Sequence, residues 1–270
     1  MRQATVLGAH GYVGHNLAAH LRRQGWDVAT PARGAALPRA GALGTVFYCI
    51  GLTADFRQRP LDTVDAHIGV LRTVLQQGGF ERLVYLSSTR VYLGATATHE
   101  AAPLQALSTD PDDLYKLSKL MGESLALHSG QPCTVARLSN VVGGERVNPD
   151  SFLAQLWREA ASGQIHLRSD PASEKDYIHI HDVCELLEAV ATRGREPLYN
   201  LASGVQVRHH QWLQAMAAAT GCRWDVAAAA PLHRFAPIDV RRIVREFNFK
   251  PRPVLSVAEA GPPLQPEIPA

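Results

Sequence analysis

A tyrosine and a lysine stand four residues apart, at Tyr115 and Lys119. On a helix, positions i and i+4 project from one face, so the two side chains would lie side by side. A cation beside a phenol favours the phenolate, which would let Tyr115 exchange a proton with an alcohol or a ketone near neutral pH. The same spacing is also typical of a solvated helix face, so the pair alone does not establish chemistry.

The element that carries this pair is predicted to be a helix. Pro111 and two aspartates precede it, as is typical of a helix start. Its apolar residues recur at helical spacing, at Leu114, Leu117, Met121 and Leu125. We expect this apolar face, and that of a second helix around residues 64–75, to pack in a core.

A buried strand at Leu83–Leu86 comes before this helix and ends in three hydroxyl residues, Ser87, Ser88 and Thr89. Ligands of open α/β sheets bind just outside the carboxyl ends of the strands. Hydroxyls at that edge can hydrogen-bond a substrate carbonyl, although they can equally cap a helix or a turn. The strand therefore predicts a second contribution to a site.

Three glycines, Gly8, Gly11 and Gly14, follow a short apolar strand at residues 4–7 and open a helix. In that context glycine permits a tight turn and close approach of the backbone, and the helix amino terminus receives a pyrophosphate. A flexible glycine turn is the alternative. The position at the start of a βα unit favours dinucleotide binding.

The end of the second strand, at residues 27–30, bears on the choice of cofactor. A carboxylate there would accept hydrogen bonds from the ribose of NAD, but the chain has Ala32 followed by Arg33. Arg33 predicts a contact with the 2′-phosphate of NADP(H), with NAD(H) as the alternative. Residues 31–44 are too few for a helix and a strand, so we predict mostly loop and a missing βα unit.

The composition is that of an ordinary globular protein, with 46% hydrophobic and 19% charged residues among 270. A net charge of +2 gives no signal for nucleic acid, and no run approaches the roughly 18 apolar residues of a membrane helix. The four cysteines form no CxxC pair, which indicates reduced thiols and a cytoplasmic location. The histidine pairs at 179/181 and 209/210 lack a third ligand that stands out, so no metal site is predicted.

Strand and helix alternate from residue 4 to residue 138, which predicts an α/β fold with a doubly wound parallel sheet of the Rossmann type. From Asn140 onward the alternation loosens. We predict a dinucleotide-binding domain over residues 1–139, with returning elements near 176–202, and a smaller substrate-binding part over residues 140–270.

Together these motifs resemble the extended short-chain dehydrogenase/reductase family, in its nucleotide-sugar epimerase/dehydratase branch. The resemblance runs from about residue 3 to residue 251. It is carried by GxxGxxG at 8–14, a strand ending in SS with Val91-Tyr92 after it, YxxxK at 115–119, RxxNVxG at 137–143, and KDYIH at 175–179.

The resemblance implies that Tyr115 is the acid/base, that Lys119 lowers its pKa and holds the nicotinamide ribose, and that Ser88 hydrogen-bonds the reacting oxygen. The implied substrate contacts are Thr53, Ser88, Thr89, Asn140 and Lys175. The implied cofactor contacts are Gly8, His10, Gly11, Tyr12, Val13, Gly14, Arg33, Cys49, Ile50, Gly51, Leu86, Ser87, Tyr115, Lys119 and Leu138. The family also implies a homodimer formed through the helices around 64–75 and 114–125.

Departures from the family pattern narrow the activity. Dehydratases of the family have an Asp-Glu pair after the catalytic hydroxyl and decarboxylases a glutamate, where this chain has Thr89 and Arg90. We therefore expect an NADP(H)-dependent reductase of a keto group, at C4, on a nucleotide-linked sugar or another small keto substrate. An NAD-dependent nucleotide-sugar 4-epimerase and a non-catalytic dinucleotide-binding regulatory protein are the alternatives.

Overall fold

The computed structural model describes residues 1–36, 41–53, 55–144 and 151–259. Its strands are β1 Gln3–Leu7, β2 Asp27–Ala29, β3 Thr45–Tyr48, β4 Arg82–Ser88, β5 Cys133–Leu138, β6 Asn140–Val142, β7 Gln164–Leu167, β8 Glu174–His179, β9 Leu198–Leu201, β10 Gln206–Arg208 and β11 Arg223–Val226. Its helices are α1 Tyr12–Arg23, α2 Pro60–Val64, α3 Val70–Gln77, α4 Asp113–His128, α5 Phe152–Ala161, α6 Ile180–Arg193, α7 His209–Thr220, α8 Arg241–Phe247 and α9 Ser256–Glu259. A π-helical turn, Asp65–Gly69, joins α2 to α3, and a 3₁₀ turn, Thr89–Tyr92, follows β4.

Six parallel strands form the central sheet, in the order β2-β1-β3-β4-β5-β9. Helices α1 and α6 pack on one face around Leu17 and Val183, and α3 and α4 cover the other around Leu71 and Ala126. Because both faces are covered, β3 and β9 are buried along their whole length, which explains why most of their residues are apolar. The predicted doubly wound Rossmann-type sheet is confirmed.

The sheet ends at β2 on one side, where a further strand was predicted to be missing. In the described part of the connection from β2 to β3, residues 30–36 and 41–44, no helix or strand forms. Residues 30–44 are enough for one crossover between parallel strands, which needs a dozen or more residues. They lead from β2 to β3, which lies on the other side of β1.

The carboxyl-terminal part builds two small sheets, with orders β10-β8-β6 and β11-β7. They pack with α5, α7 and α9 around a core that includes Leu156, Trp157 and the fully buried Trp212. The division of the chain at residues 139 and 140 stays a prediction. In the described residues, no helix is long and apolar enough to cross a membrane.

Helix α4 faces the sheet with the opposite side from the one predicted. It buries Tyr115, Lys119 and Glu123, whereas Leu117 and Met121 are 36% and 58% exposed. Gly122 allows α4 to lie close to β4, since a Cβ atom at this position would be 2.2 Å from the hydroxyl oxygen of Tyr85. The prediction that this apolar face packs in the core is therefore wrong, because periodicity identifies an apolar face without identifying what covers it.

Candidate active site

The turn after β1 requires its glycines. Gly8 has a φ of +84°, and a Cβ atom there would lie 2.9 Å from the carbonyl carbon of Cys49. A Cβ atom on Gly14 would lie 2.3 Å from the carbonyl oxygen of Gly8, so the first turn of α1 packs tightly on the loop. Gly11 is the residue before α1, and no side chain caps the helix there. The first-turn N–H groups are therefore left for a ligand.

Most of the predicted cofactor residues lie along one edge of the sheet. The carboxyl ends of β1, β3, β4 and β5 point the same way, because these strands are adjacent and parallel. At or just after those ends lie residues 8–14, 49–51, 86–87 and Leu138. The Tyr12 hydroxyl donates a 2.8 Å hydrogen bond to the Gly143 carbonyl, so this side chain ties α1 to the chain after β6. These residues fit a dinucleotide, since the glycine turn admits no Cβ atom and the helix amino terminus carries no side-chain cap.

Arg33 lies apart from that edge in a turn after β2. Its side chain is exposed, and none of the hydrogen bonds or ion pairs within the described residues involves it. His10 is likewise exposed in the glycine turn. A 2′-phosphate contact by Arg33 stays a prediction.

The Tyr115 side chain is 4% exposed on the inner face of α4. Burial raises the pKa of Tyr115, while interactions with the Ser88 and Thr53 side chains and the charge of Arg90 act in the opposite direction. The net direction is upward, so the lowering of this pKa that the resemblance implied is not found, because the tyrosine is removed from solvent. The Ser88 hydroxyl also accepts a 3.2 Å bond from the Arg90 N–H as the cap of the 3₁₀ turn. The capping role considered for the strand-end hydroxyls is thus found at Ser88, and a hydrogen bond from Ser88 to a substrate carbonyl stays a prediction.

Lys119 lies one turn further along α4 and is also 4% exposed. Its Nζ donates a 2.9 Å hydrogen bond to the Leu86 carbonyl and lies 3.6 Å from the position of a Cβ atom on Gly51. Burial lowers the pKa of Lys119 to about 7, against the opposing influence of Glu123 and Cys49. The ammonium group therefore sits between Tyr115 and the edge of the sheet that carries the predicted cofactor residues.

His67, from the π-helical turn, supports the tyrosine. Its Nε2 accepts a 3.4 Å bond from the Leu52 N–H, so Nδ1 carries the proton and donates 2.8 Å to the Ser118 hydroxyl, which itself donates to the Tyr115 carbonyl. The His67 ring meets the Tyr115 ring edge-on at 5.3 Å. Burial, with the nearby charge of Lys119, lowers the pKa of His67 to about 2, which keeps it neutral. The sequence contains no local signal for this role.

A buried ion pair lies beneath these groups. The Arg137 guanidinium donates from Nη2 and Nε to the Glu123 carboxylate at 2.6 and 3.0 Å, and both side chains are almost completely buried. The Ser87 hydroxyl donates to the same carboxylate at 2.5 Å. Ser87, predicted as a cofactor contact, thus has its hydroxyl engaged by the protein.

Arg90 stands directly beside the tyrosine, and the sequence singled it out only as a departure from the family pattern. Its guanidinium carbon lies 5.0 Å from the ring centre of buried Phe56 and 5.4 Å from that of Tyr115. Burial lowers the pKa of Arg90, partly offset by Tyr115. Thr89 is half-buried in the same 3₁₀ turn. Phe56 was not predicted, because its position depends on the packing of the loop before α2.

Lys175, in β8, lines a cavity. Its Nζ lies 5.3 Å from the ring centre of Phe235 and 5.9 Å from that of Phe152. Burial lowers the pKa of Lys175, and the charge of Arg90 acts in the same direction. Asn140, predicted with Lys175 as a substrate contact, is exposed, and its amide donates a 2.8 Å hydrogen bond to the Asp176 carbonyl.

The cavity beside Lys175 has a volume of about 210 Å³, and none of its described lining residues is acidic. Its aromatic and basic lining residues are Phe152, His166, Arg168, Lys175, His209 and His233. A cavity of this character suits an anionic ligand that carries a flat apolar group.

His209 carries the clearest sign of a ligand in this cavity. It is 1% exposed, stacks on Phe152 at 4.4 Å, and shares a 2.7 Å hydrogen bond between its Nδ1 and the Ser169 hydroxyl. Burial, then the charges of Lys175 and His233, lower the pKa of His209 to about 4, so the ring is neutral. Its Nε2 is buried and has no partner among the described residues. A buried polar atom left in this state calls for a partner.

The other conspicuous histidines serve a structural role. His179 caps α6 by accepting a 3.2 Å bond from the His181 N–H, and the two rings meet edge-on at 4.7 Å. Across the described ranges, no group of three or more His, Cys, Asp or Glu side chains could hold a metal ion.

Comparison with known proteins agrees with this geometry. The model of the NAD dependent epimerase/dehydratase family matches residues 40–202. Two curated dTDP-glucose 4,6-dehydratases are each 26% identical to this chain. The match to the Streptomyces antibioticus protein covers 92% of this chain and 87% of the relative. For the Streptomyces griseus protein it covers 67% of this chain and 63% of the relative, which is less than two thirds of that protein's length.

Solved structures show the same fold. MoeE5 in complex with UDP-glucose and NAD has a TM-score of 0.78 and 23% identity, over 96% of this chain and 98% of its own. RMD from Pseudomonas aeruginosa, complexed with NADPH, has a TM-score of 0.76 and 21% identity, over 96% of this chain and 100% of its own.

Proposed function

The chain belongs to the NAD dependent epimerase/dehydratase family, which makes it an enzyme of the extended short-chain dehydrogenase/reductase type, and from that premise we propose an NADP(H)-dependent reductase that acts on a keto group at C4 of a nucleotide-linked sugar. One observation carries the proposal. The Tyr115 hydroxyl interacts with Ser88 and Thr53 beside a cation, Arg90, and the two residues directly after Ser88 are Thr89 and Arg90 rather than carboxylates. Membership of an enzyme family sets aside the non-catalytic alternative.

The chain's own residues hold the cofactor and orient it. Gly8, Gly11 and Gly14 would receive the pyrophosphate at the start of α1, and Lys119 would hold the nicotinamide ribose. When bound, a nicotinamide dinucleotide supplies the hydride that reaches the sugar carbon. That this family uses a nicotinamide dinucleotide is established; the preference for NADP(H) is our proposal, and it rests on Arg33 in place of an acidic residue.

Proton transfer falls to Tyr115. As the ketone becomes an alcohol, the phenol gives its proton to the sugar oxygen, which Ser88 holds by a hydrogen bond. The phenolate that remains is stabilised by the ammonium of Lys119 and the guanidinium of Arg90. Because burial raises the pKa of Tyr115, the phenol is protonated at neutral pH and ready to act as the acid.

Loss of water from the sugar, the activity of the two Streptomyces relatives by their names, would need groups that this site lacks. Elimination requires an acid and a base beside the sugar carbons. At the positions where family dehydratases carry a carboxylate pair, Thr89 has no titrating group in the physiological range, and Arg90 cannot release its proton. We therefore propose reduction rather than dehydration.

The nucleotide would occupy the cavity beside Lys175. Phe152 offers an aromatic face for a base, Lys175 a cation for the diphosphate, and the His209 Nε2 a hydrogen-bond partner. A nucleotide-linked sugar placed there would reach from the cavity past Lys175 and Arg90 to Tyr115. This order of groups supports a nucleotide-linked substrate over a free small ketone.

An NAD-dependent 4-epimerase is the second candidate, because Arg33 makes no contact within the described residues and MoeE5 binds NAD in its solved complex. An epimerase must keep its cofactor through the reaction, whereas a reductase exchanges it. Tightly bound NAD in the purified protein would favour the epimerase.

The test is consumption of NADPH in the presence of UDP- and dTDP-linked 4-keto sugars, followed at the absorbance of the reduced nicotinamide. We expect one NADPH oxidised for each ketone reduced, with NADH a poorer donor. Epimerised product with no net change in the cofactor would contradict the reductase and establish the second candidate.

We also propose a homodimer formed through the helices around residues 64–75 and 114–125. Val64 is 38% exposed and Met121 58% exposed, and α3 packs against α4. Light scattering of the purified protein should give twice the chain mass, and Met121→Glu should shift it toward the monomer. A cytoplasmic location is proposed from the free cysteines.

A further inference from the structure

Arg90 is a cation without a carboxylate partner in the described structure. It is half-buried, and no ion pair among the described residues involves its guanidinium. Its neighbours are the faces of Phe56 and Tyr115, at 5.0 and 5.4 Å from the guanidinium carbon. Partial burial of a guanidinium group without a counter-ion is unfavourable, so an anion from outside the chain would stabilise it.

Arg57 contacts the same Phe56 ring but has a carboxylate partner. Its guanidinium carbon lies 4.5 Å from the centre of the Phe56 ring, yet its Nε is bonded to the Asp112 carboxylate and its side chain is 44% exposed. The two arginines share a ring, but the Asp112 carboxylate is bonded only to Arg57 and acts on Arg90 through its charge alone. Arg90, which lies against Tyr115, therefore has no carboxylate bonded to it within the described residues.

The position of Arg90 separates it from the group that would bind the diphosphate. Lys175 borders the nucleotide cavity, whereas Arg90 lies against the ring of the tyrosine that would act on the sugar. The charge of Arg90 lowers the pKa of Lys175, so the two cations lie close enough to act together on one substrate. A substrate with one anionic group beside Lys175 and a second on the sugar would match both.

We infer that Arg90 binds a carboxylate on the sugar, so that the substrate class of this site is a nucleotide-linked uronic acid. The inference rests on the proposed function, because it takes Tyr115 as the group beside the reacting carbon. A guanidinium pairs with a carboxylate through two parallel hydrogen bonds, a geometry that neutral sugars do not offer. The exposed Thr53 hydroxyl, which interacts with Tyr115, supplies a further polar contact on the same side.

The pairing also suits the chemistry of such a substrate. With the ketone at C4, the carboxyl group on C5 is β to it, and a β-keto acid loses CO₂ as the charge of its carboxylate moves into the ring. An ion pair with Arg90 keeps that charge on the carboxylate and so favours reduction with the carboxyl group retained.

The test measures affinities of the NADP⁺-loaded protein for UDP, UDP-glucose and UDP-glucuronic acid by calorimetry, and for the same three ligands built on dTDP. We expect the wild type to bind the uronic acid at least about tenfold more tightly than the glucose form. Arg90→Gln should abolish that preference and leave the affinities for UDP and the glucose form nearly unchanged. Arg57→Gln is the matched control and should keep the preference. Arg90→Lys keeps the charge but loses the two parallel donors of the guanidinium group, so this variant should retain part of the preference for the uronic acid.

Three results would overturn the inference. The first is a wild type that prefers neither sugar, and the second is an Arg90→Gln variant that keeps the preference. The third is an Arg90→Gln variant whose affinity falls equally for all three ligands, which would assign Arg90 to the diphosphate instead. If no nucleotide binds the wild type at all, the proposed function itself fails. Retained NADP⁺ binding by each variant shows that its fold is intact.

Discussion

The two ends of the cleft differ in how their polar groups are satisfied. At the Tyr115 end, the protein supplies partners from within: Lys119 bonds the Leu86 carbonyl, and Glu123 is held by Arg137. At the cavity end, the Nε2 of His209 has no partner among the described residues, and no described carboxylate pairs with Lys175. The groups that act on the proton are therefore preorganised, whereas the groups proposed to recognise the substrate, which are His209 and Lys175 at the cavity end and Arg90 beside Tyr115, wait for a ligand.

Removing the acid should have the largest effect. Tyr115→Phe deletes one hydroxyl at the preorganised end, and we expect kcat to fall by about 10²- to 10⁴-fold. The phenyl ring keeps its contacts with Phe56 and His67, so the melting temperature should change little. Steady-state NADPH oxidation measures the loss, and a variant with nearly wild-type turnover would remove Tyr115 from the mechanism.

The buried ion pair offers a stability test of the same comparison. Glu123→Gln leaves Arg137 as an uncompensated buried charge, which should lower the free energy of unfolding by about 3–5 kcal/mol. Lys175→Met, at the other end, removes a half-buried cation that has no described carboxylate partner and should cost little or nothing. Urea denaturation of both variants measures the difference. Equal losses would mean that the two ends do not differ as described.

Lys119 should make stability depend on pH. Its pKa is about 7 in the folded chain, against an ordinary value of 10.5. Between these values the unfolded chain holds a proton that the folded chain lacks, so the free energy of unfolding rises with pH. The free energy of unfolding of the wild type, minus that of Lys119→Met, should therefore rise by about 2 kcal/mol from pH 7 to pH 9. Urea titrations of the cofactor-free proteins measure it, and a difference that is flat with pH would contradict the assignment.

His209 should give the smallest of these effects, and it should appear in binding. His209→Ala removes the unpaired Nε2 from the cavity, and we expect the Kd for the preferred nucleoside diphosphate to rise about tenfold. The adjacent His210→Ala is the control, because within the described residues the one hydrogen bond of the His210 ring goes to the Pro171 carbonyl, at 3.4 Å. Turnover at saturating substrate should be nearly unchanged in both. A loss of kcat without a change in Kd would place His209 outside the recognition end.

The fold and the preorganised end could be anticipated from the sequence because their signals are local. A glycine turn between Leu7 and α1, and a strand that ends in Ser87-Ser88, are each written in a few consecutive residues. Tyr115 and Lys119 share a face whatever the helix packs against. Such features survive any arrangement of the remaining chain.

The residues proposed to recognise the substrate could not be anticipated, because their surroundings depend on contacts between distant segments of the chain. His209 matters through Ser169 and Phe152, which are far from it in the chain. Arg90 matters because Phe56 places a ring beneath it. The covered face of α4 was predicted wrongly for the same reason, since an apolar stripe does not state what lies opposite.

The most direct test of the central claim follows the hydrogen itself. The protein is incubated with a UDP- or dTDP-linked 4-keto sugar and NADPH that carries two deuterium atoms at C4 of its nicotinamide, and the product is analysed by mass spectrometry and NMR. We expect one deuterium on sugar C4 in each product molecule, and one NADP⁺ formed for each molecule of product. A product without deuterium at C4, formed while the cofactor is neither consumed nor exchanged, would contradict the reductase.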